Sequence, residues 1–506
     1  MKSYHHNSNE YLVNSKINIT FDELLRFSDK EFLDWSDTLK SEVRISWLDH
    51  NQPPIRTPTD SDIVNQMNRL VDLDLKGTIQ TDTMTNSEDC IVMKSPINCG
   101  SSFFPNMGKM KDINTTDLEG LSLWDYFVEG KEPQKFISSV RRNFKYDSFF
   151  SFSPSLTKKS EFSLNCKNGK EWILKYTNNP NSNYNFWLEK SEKIPNGFLS
   201  VDGSDLLNDL FHIIKKENFN GNSFEELDKD SKYKIRFYKT NQRLFPKGLV
   251  FFRNGLVMMG VNFPPTISKF LYTHFTEDLK NQNEIIIYDP SMGYGGRLLG
   301  CLSVNNDRKI HYLGTDPNTD NWIDELGISR YEVMGRYFNS NIKRKYQTTY
   351  QCFMEGSEVI HQNTEFQKYK GMIDFIFTSP PYFGTEGYSE DETQSYKKFN
   401  TYELWRDGFL YQTLKNCVDY LKPNRWICWN ISDTQFDGKY YPMERDSIEI
   451  MKSFGMEYKM RYKMVLSGPI SKNNIKSRSR LPSTKNFCGI RNNFKKYEPI
   501  FCFYKN

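Results

Sequence analysis

The sequence predicts an α/β protein in which a doubly wound, mostly parallel sheet occupies residues 246–506 and an α+β accessory region precedes it. From about residue 247 onward, short apolar runs with strand character alternate with helical stretches, which is the pattern of βαβ units. The chain has 506 residues, which is too long for one ordinary core and predicts about two or three domains. Apolar residues make up 37% and charged residues 26%, which is typical of a globular chain and argues against a disordered one.

The first 75 residues are predicted to be mostly helical. Residues 20–23 and 28–31 have the form of a capping box, in which a Ser or Thr and a Glu three residues later satisfy each other's backbone N–H groups. The Pro-Pro pair within residues 51–54 ends this helical stretch, because proline cannot continue a helix. A second helix is predicted over residues 60–73, where four apolar residues share one face: Ile63, Met67, Leu70 and Val71.

Residues 76–245 form the predicted accessory region. Strands are predicted at 171–175 and 186–188, and helical patterns lie near 121–126 and 204–216, which together indicate an α+β unit. The region contains neither a repeat nor a recognisable motif. By elimination, we assign it to sequence recognition or to dimerisation.

Seven strands are predicted in the carboxy-terminal part of the chain. Each is a short apolar run with strand character. In chain order they cover residues 285–288, 311–314, 351–354, 373–378, 426–431, 458–464 and 500–504. In sheets of this kind, ligands bind at the carboxyl ends of the strands, so the residues that follow each strand are the candidates for a site.

The first of these strands ends in an acidic, glycine-rich loop that contains Asp289, Pro290, Gly293, Gly295 and Gly296. Glycines let the backbone approach a ligand closely, although a plain tight turn is the alternative. The spacing is not the G-x-G-x-x-G of a dinucleotide site, and an acid here suits a cationic ligand better than a pyrophosphate. S-adenosylmethionine carries a sulfonium and an ammonium group, and it therefore fits the loop better than a dinucleotide.

Further positions complete the predicted cofactor site. The second strand ends near Asp316, whose carboxylate is suited to accept hydrogen bonds from both ribose hydroxyls. Ahead of the loop, Pro264 and Thr266 open a helix whose start is predicted to help hold an amino-acid-like tail. After the third strand, Glu358 is a candidate contact to the adenine edge, and an ordinary loop is the alternative there.

The fourth strand ends in Ser379, Pro380, Pro381 and Tyr382, with Phe383 next. An exocyclic amine is a poor nucleophile because its lone pair is delocalised into the ring. The Ser379 hydroxyl and the Pro380 carbonyl are two acceptors that would favour its nucleophilic form. The prolines make the strand exit rigid, Tyr382 offers a face on which an extracted base stacks, and Phe383 is predicted to extend that face. Taken alone, the four residues also fit a proline-stiffened turn or a docking motif.

The order of the glycine-rich loop, the acidic strand end and the Ser-Pro-Pro-Tyr sequence resembles the amino-methylating DNA methyltransferases. The resemblance spans about half the chain and extends to the last strands, at 421–430 and 496–500. It implies a Rossmann-like, seven-stranded methyltransferase domain that transfers a methyl group from S-adenosylmethionine to N4 of cytosine or N6 of adenine. The loop departs from the Phe-x-Gly-x-Gly form common in the family, and Ser rather than Asp at position 379 leaves both bases open.

Two long windows, residues 231–276 and 458–497, contain Lys and Arg but neither Asp nor Glu. In a chain with 67 basic and 63 acidic residues, this segregation predicts double-stranded DNA as the partner, because Lys and Arg neutralise phosphates. A solvated basic face without a ligand is the alternative. The residues predicted to bind DNA are Lys476, Arg478, Arg480, Lys485, Lys239 and Arg243.

Other features narrow the class of protein. Single, scattered cysteines without a C-x-x-C pair predict no metal site and no disulfide framework, and they indicate a cytoplasmic protein. The Lys- and Asn-rich composition indicates an AT-rich microbial or viral genome. The sequence contains no membrane-spanning stretch, so a membrane partner is not expected. A homodimer is left open. Three other functions also stay open: methyl transfer to structured RNA, transfer of a different group such as aminocarboxypropyl from the same cofactor, and a non-catalytic DNA-binding or assembly protein.

Overall fold

The chain divides into two compact units. The computed structural model describes residues 17–19, 27–50, 59–86, 88–92, 97–112, 122–130, 159–165, 171–177, 184–189, 197–201, 234–238, 260–304, 308–436, 438–466, 486–490 and 493–506. The large unit consists of residues 1–6, 57–124 and 258–506, and the small unit consists of residues 7–56 and 125–257. The predicted capping box at 20–23 and the helical pattern at 204–216 lie outside the described residues.

Helices are short in most of the described chain. They are α1 (Asp29–His50), α2 (Asp60–Val71), α3 (Leu123–Phe127), α4 (Pro265–His274), α5 (Gly296–Leu302), α6 (Arg330–Asn341), α7 (Thr364–Gln367), α8 (Ser395–Lys398), α9 (Tyr402–Leu404), α10 (Tyr411–Tyr420) and α11 (Met443–Ser453). A π-helical stretch, Trp405–Leu410, joins α9 to α10. Single turns of 3-10 helix lie at Ser101–Phe103, Pro105–Lys109, Glu277–Leu279, Thr319–Asn321, Asp324–Leu326 and Ile360–Gln362.

Strands occur in both units. They are β1 (Ile79–Thr81), β2 (Asp89–Val92), β3 (Lys111–Asp112), β4 (Lys159–Asn165), β5 (Glu171–Thr177), β6 (Tyr184–Glu189), β7 (Gly197–Val201), β8 (Lys234–Tyr238), β9 (Ile285–Asp289), β10 (Ile310–Thr315), β11 (Trp322–Ile323), β12 (Ile328–Ser329), β13 (Thr349–Phe353), β14 (Ile373–Thr378), β15 (Glu386–Gly387), β16 (Leu421–Asn430), β17 (Thr434–Phe436), β18 (Lys439–Tyr441), β19 (Glu457–Val465), β20 (Phe487–Ile490) and β21 (Asn493–Lys505).

The small unit contains α1 and an antiparallel sheet. The described strands of that sheet follow the order β4-β5-β8-β6-β7, and the predicted strands at 171–175 and 186–188 are confirmed as parts of β5 and β6. Helix α1 begins after the capping box predicted at 28–31, where Glu31 N donates to Ser28 Oγ at 3.3 Å and Ser28 N donates to Glu31 Oε2 at 2.7 Å. Its buried residues recur every fourth position, so they share one face: Trp35, Leu39, Val43 and Trp47.

The sheet of the large unit confirms the predicted fold class. The seven predicted strands all form, in the order β13-β10-β9-β14-β16-β21-β19. Strands β13, β10, β9, β14 and β16 run parallel, whereas β21 is antiparallel to both β16 and β19. The strand order reverses between β9 and β14, because β10 and β13 follow on one side of β9 and β14 lies on the other. This switch point brings the ends of β9, β10 and β14 together at one edge, where a ligand is expected.

Two strands that the sequence analysis did not predict extend this sheet. Strand β2 pairs in parallel with β19, and β1 pairs antiparallel with β2. Buried ion pairs hold them there: Lys463 Nζ lies 2.5 Å from Asp82 Oδ2 and 2.7 Å from Glu88 Oε2. Residues 76–92, which the sequence analysis placed in the accessory region, are therefore part of the large unit. Their polar sequence gave no strand signal because the pairing partner lies far along the chain.

Helix α2 confirms the helix predicted over residues 60–73. Thr59 and Asp62 form a capping box at its start, with 3.1 Å hydrogen bonds in both directions, and the four apolar residues predicted to share a face are buried. At its end, Lys269 Nζ donates to the Leu70 and Val71 carbonyls at 2.7 Å. This contact fastens α4 to α2, because an ammonium group stabilises the unsatisfied carbonyls of a helix terminus.

Strand β14 lies at the centre of the sheet and is buried along its whole length. A strand with both faces covered needs mostly apolar residues, which Ile373, Phe375, Ile376 and Phe377 provide. The buried Asp374 is compensated by an ion pair with Lys422 at 2.6 Å. The described helices do not include one that is long and apolar enough to cross a membrane.

Candidate active site

A cavity of about 600 Å³ opens in the large unit where the parallel strands end. Gly293 from the loop after β9 and Asp316 from the loop after β10 form one side of it. Ser379 and Tyr382, from the loop after β14, form another. The predicted cofactor loop and the predicted catalytic loop therefore share one cavity.

Asp289 lies behind the cavity wall rather than in it. Its carboxylate is fully buried and accepts hydrogen bonds from Arg297 Nε at 2.8 Å, the Tyr312 hydroxyl at 2.7 Å and Thr378 Oγ1 at 2.8 Å. The Ser291 N–H is a fourth donor, at 3.2 Å. Through these hydrogen bonds the Asp289 carboxylate links the start of the loop to β10, β14 and α5. The structure therefore gives Asp289 a structural role, which is to hold the loop in place.

The three glycines of the loop after β9 have different structural roles. Gly293 lines the cavity and its N–H donates to Asp316 Oδ2 at 2.8 Å. Gly295 has a φ of +74°, a conformation that glycine adopts without strain. Gly296 begins α5 so close to the preceding segment that a Cβ would lie 2.2 Å from the Phe263 carbonyl oxygen. Gly295 and Gly296 thus allow the backbone to pack, and Gly293 together with Pro290 forms cavity wall.

Asp316 faces the cavity as predicted for a ribose contact. Its Oδ1 accepts from Asn318 N at 2.9 Å, and its Oδ2 accepts from Gly293 N. Burial raises the pKa of Asp316 to about 6, although the two backbone N–H groups act in the opposite direction. Each carboxylate oxygen retains a further lone pair, so the group is still able to accept hydrogen bonds from a ligand.

The predicted helix start and Glu358 lie at two other places around the cavity. Pro264 lines it just before α4, whereas Thr266 is buried and absent from the lining. Glu358 lines the cavity and its carboxylate forms an ion pair with Lys398. The neighbouring Glu355 accepts two hydrogen bonds from Asn363 instead, at 2.8 and 2.9 Å.

The Ser-Pro-Pro-Tyr loop presents three of its four residues to the cavity. Ser379, Pro381 and Tyr382 line it, and Pro380 is buried beneath them. Burial raises the pKa of the Tyr382 hydroxyl well above its usual value, and the nearby Glu498 carboxylate adds to this shift. Tyr382 therefore remains a neutral, largely enclosed ring beside the serine.

Phe383 does not extend the stacking face, contrary to expectation. Its ring is enclosed by three other aromatic rings, with centroid distances of 5.5 Å to Tyr402, 6.0 Å to Trp405 and 5.2 Å to Tyr441. It is 8% exposed and belongs to the core cluster. The chain turns after Tyr382, so consecutive aromatic residues point to opposite sides of the loop.

One wall of the cavity was missed by sequence reasoning. Asn430 at the end of β16, Met464 near the end of β19 and Glu498 on β21 all line it. The available signal was a carboxylate in the Tyr-Glu-Pro stretch of an otherwise apolar last strand, and an asparagine at a strand end. Neither stands out until the strand order places β21 between β16 and β19.

Some basic residues of the two windows without Asp or Glu form contacts within the protein. Arg461 pairs with Glu88 at 2.6 Å, Lys463 is buried against Asp82, and Lys269 donates to the end of α2. The residues predicted to bind DNA all lie outside the described residues: Lys476, Arg478, Arg480, Lys485, Lys239 and Arg243.

Two described residues flank the basic stretch 467–485. Leu466, where the chain leaves β19, lines the cavity, and its N–H donates to the Lys496 carbonyl at 2.8 Å. On the return side, Asn486 Nδ2 donates to Ser432 Oγ at 3.0 Å. Residues 467–485 themselves lie outside the described residues.

Comparison with known protein families gives one match in the carboxy-terminal part of the chain. Residues 373–506 match the N6/N4-type family described as DNA methylase, which confirms the predicted resemblance. None of the curated proteins matches the chain. The matched residues begin with β14 and run through β21, so they include the Ser-Pro-Pro-Tyr loop but not the glycine-rich loop after β9.

Three solved structures of low identity are similar to between 30% and 51% of the chain. A candidate class I S-adenosylmethionine-dependent methyltransferase from Listeria monocytogenes has 15% identity and a TM-score of 0.29, over 51% of this chain and 64% of that one. A S-adenosylmethionine-dependent methyltransferase from Methanosarcina mazei has 11% identity and a TM-score of 0.27, over 48% and 99%. A candidate DNA modification methylase from Thermus thermophilus has 14% identity and a TM-score of 0.19, over 30% and 50%.

Proposed function

We propose, from the match of residues 373–506 to the N6/N4-type DNA methylases, that this protein transfers a methyl group from S-adenosylmethionine to an exocyclic amino group of a DNA base. The acceptor would be N4 of cytosine or N6 of adenine. The observation that carries the proposal is the shared cavity, which joins Gly293 and Asp316 to Ser379 and Tyr382.

The residues on the Gly293 side fit the proposed cofactor. A volume of about 600 Å³ is in the range of small-molecule sites. Asp316 offers acceptors for hydroxyl groups, and the close packing of Gly296 against Phe263 brings the loop backbone to the cavity. Buried polar atoms without a partner among the described residues lie here as well, namely Asn262 Oδ1 and the Tyr294 hydroxyl. They would meet the polar groups of the methionine or ribose part.

The residues on the Ser379 side fit an amine acceptor. S-adenosylmethionine, when bound, supplies an electrophilic methyl group. The Ser379 hydroxyl, which lines the cavity, would accept a proton of the amine and so localise its lone pair, and the Tyr382 ring would stack on the extracted base. The Pro380 carbonyl, the second predicted acceptor, lies behind the lining residues and would need a small shift of the loop to reach the amine. Positioning of the amine against the methyl group then provides most of the acceleration. A protein nucleophile is not required, since the amine itself attacks.

DNA as the substrate is supported by the composition of residues 467–485, which follow the cavity-lining Leu466. This stretch holds Lys476, Arg478, Arg480 and Lys485 without a carboxylate. Such a stretch would neutralise phosphates near the extracted base. Replacing both Arg478 and Arg480 by Ala should weaken binding to all DNA sequences and reduce the salt dependence of the affinity.

Methyl transfer from labelled S-adenosylmethionine to duplex DNA tests the proposal. Digestion of the product to nucleosides distinguishes N4-methylcytosine from N6-methyladenine. The variant Ser379→Ala should lose about 10²–10³-fold in kcat while it still binds the cofactor, because a positioned acceptor is removed. Transfer to structured RNA alone, or a product mass that shows a group other than methyl, would replace the proposal by one of those activities.

A further inference from the structure

We infer that Glu498 contacts the base to be methylated, in its neutral form, by donating a hydrogen bond to the ring nitrogen next to the amine. That nitrogen is N3 in cytosine and N1 in adenine. The inference deepens the proposed function and rests on it. It concerns the wall of the cavity that sequence reasoning missed.

The strand pairing places Glu498 at the acceptor edge of the sheet. Strand β21 runs antiparallel to its neighbours, so its first half lies where β14, β16 and β19 end. Glu498 is paired with Met464 near the end of β19, and Ile500, two residues later, is paired with Asn430 at the end of β16. Glu498 lines the same cavity as Ser379 and Tyr382.

A second, independent observation indicates that a polar ligand binds at this wall. Asn430 is fully buried and lines the cavity, and its Nδ2 donates to the Pro499 carbonyl at 2.9 Å, which fixes the orientation of the amide. Its Oδ1 has no hydrogen-bond partner among the described residues. An unsatisfied buried acceptor costs about 1–3 kcal/mol. An N–H group from the base edge would remove that cost.

Like the Asn430 carbonyl oxygen, the Glu498 carboxyl lacks a hydrogen-bond partner among the described residues. Within the described part of the chain, its carboxyl group has neither an ion pair nor a hydrogen bond. Burial raises the pKa of Glu498, and the Lys496 ammonium acts in the opposite direction. Tyr382 is the other titratable group close to it, and Glu386 and Glu444 act on Tyr382 in turn. Burial of this carboxyl acts towards its neutral form, and a ring nitrogen that accepts its O–H would favour that form further.

The two bases of the proposed function both suit such a donor. In cytosine and in adenine, the amino group has a ring nitrogen with an in-plane lone pair as its neighbour on the Watson–Crick edge. A base held with its amine at Ser379 and its ring on Tyr382 turns this edge towards one wall of the cavity. A neutral carboxyl on that wall would bind the lone pair, whereas an ionised one would repel it.

Two variants of Glu498 separate the donor from the bulk of the side chain. Glu498→Gln keeps the length and an N–H donor, and Glu498→Met keeps the length alone. Glu457→Gln, on the neighbouring strand at the protein surface, is the control. Each is assayed for methyl transfer to duplex DNA, for affinity towards S-adenosylmethionine by calorimetry, and for thermal unfolding.

We expect Glu498→Met to lose about tenfold or more in kcat/KM, with unchanged cofactor affinity and melting temperature. Glu498→Gln should stay within a few-fold of the parent. It should also lack the fall in kcat/KM that the parent shows as rising pH ionises Glu498, since an amide donates at every pH. A target base with carbon in place of the ring nitrogen (3-deazacytosine or 1-deazaadenine) should lower the rate of the parent protein. The same replacement should not lower the rate of Glu498→Met, because that variant has already lost the hydrogen bond.

Other results overturn the inference. If Glu498→Met equals the parent, or if the variant and the deaza base lower the rate additively, then Glu498 does not contact the ring nitrogen. If Glu498→Met weakens S-adenosylmethionine binding instead, the carboxylate serves the cationic cofactor. A parent protein that methylates no DNA base would refute the proposed function itself. If the parent is active but the effects of Glu498→Met and of the deaza base are independent, only the role of Glu498 is refuted.

Discussion

The carboxylates on the two sides of the cavity are held in opposite ways. On the Gly293 side, Asp289 and Asp316 both accept hydrogen bonds from the protein, four of them at Asp289. On the Ser379 side, Glu498 accepts none from the described residues, and Asn430 Oδ1 also lacks a partner there. The difference indicates that folding fixes the two aspartates of the first side, whereas the Glu498 carboxyl and the Asn430 carbonyl oxygen on the second side are left for a substrate.

This contrast has a physical origin. A loop that must hold one geometry needs its carboxylates fixed, and burying a charge is tolerated only when it is paired and hydrogen-bonded. A wall that must receive a base gains binding energy only from groups that are not already satisfied by the protein. Such groups cost stability in the free protein, which is why they cluster at functional sites.

The largest effect should come from breaking the paired side. Asp289→Asn leaves the buried Arg297 guanidinium without its charge partner, and we expect a loss of about 3–5 kcal/mol in the free energy of unfolding. Urea denaturation measures this. The control is Asp419→Asn, which removes an exposed pair with Lys415 and should change the stability by no more than about 0.5 kcal/mol. Equal losses of unfolding free energy in the two variants would contradict the structural role of Asp289.

The stacking face should account for the next largest effect. Tyr382→Ala removes the ring on which the base stacks and should weaken binding of DNA by about 1–3 kcal/mol, without loss of cofactor affinity. Tyr382→Phe keeps the ring and should remain close to the parent. Fluorescence of 2-aminopurine at the methylated position reports base extraction directly. If the Phe variant were as impaired as the Ala variant, the hydroxyl rather than the ring would be the functional group.

The pH dependence of cofactor binding should separate Asp316 from its neighbours. The raised pKa of Asp316, about 6, means that its carboxyl group is protonated below that pH and loses acceptor capacity for the ribose hydroxyls. Affinity for S-adenosylmethionine should therefore rise with pH through about 6 and then level off. Asp316→Asn should flatten this profile and weaken binding at higher pH by about 1.4 kcal/mol. Asp320→Asn, which breaks a pair with Lys109 beside the same loop, should keep the profile.

The smallest effect should come from the unpaired side. The raised pKa of Glu498 means that ionisation is less favourable in the folded state than in the unfolded one, so folded-state stability falls as pH rises above the usual glutamate range. Glu498→Gln removes that penalty. At neutral pH its free energy of unfolding should lie within about 0.5 kcal/mol of the parent, or above it. A loss as large as that of Asp289→Asn would show that Glu498 has a structural partner.

Sequence reasoning was most successful where a local pattern is sufficient. Periodicity predicted α2 with its buried face and the seven strands of the large sheet, because strand and helix spacing are properties of adjacent residues. The motif order predicted that Gly293 and Ser379 would meet, since strand ends gather at one edge of a parallel sheet. It failed for Phe383, because the direction of a side chain in an irregular loop depends on what packs around it.

The amino-acid sequence by itself determined the fold class and the order of the loops around the cavity. Both follow from residue types and short spacings, and the chemistry predicted for the Ser-Pro-Pro-Tyr loop has the same basis. Only the tertiary structure decided that Asp289 is enclosed by Arg297 and Tyr312, and that β1 and β2 extend the sheet. It alone placed Asn430 and Glu498 opposite Ser379. Contacts between residues tens or hundreds of positions apart are set by strand order and packing, and those have no signature in any local stretch of the chain.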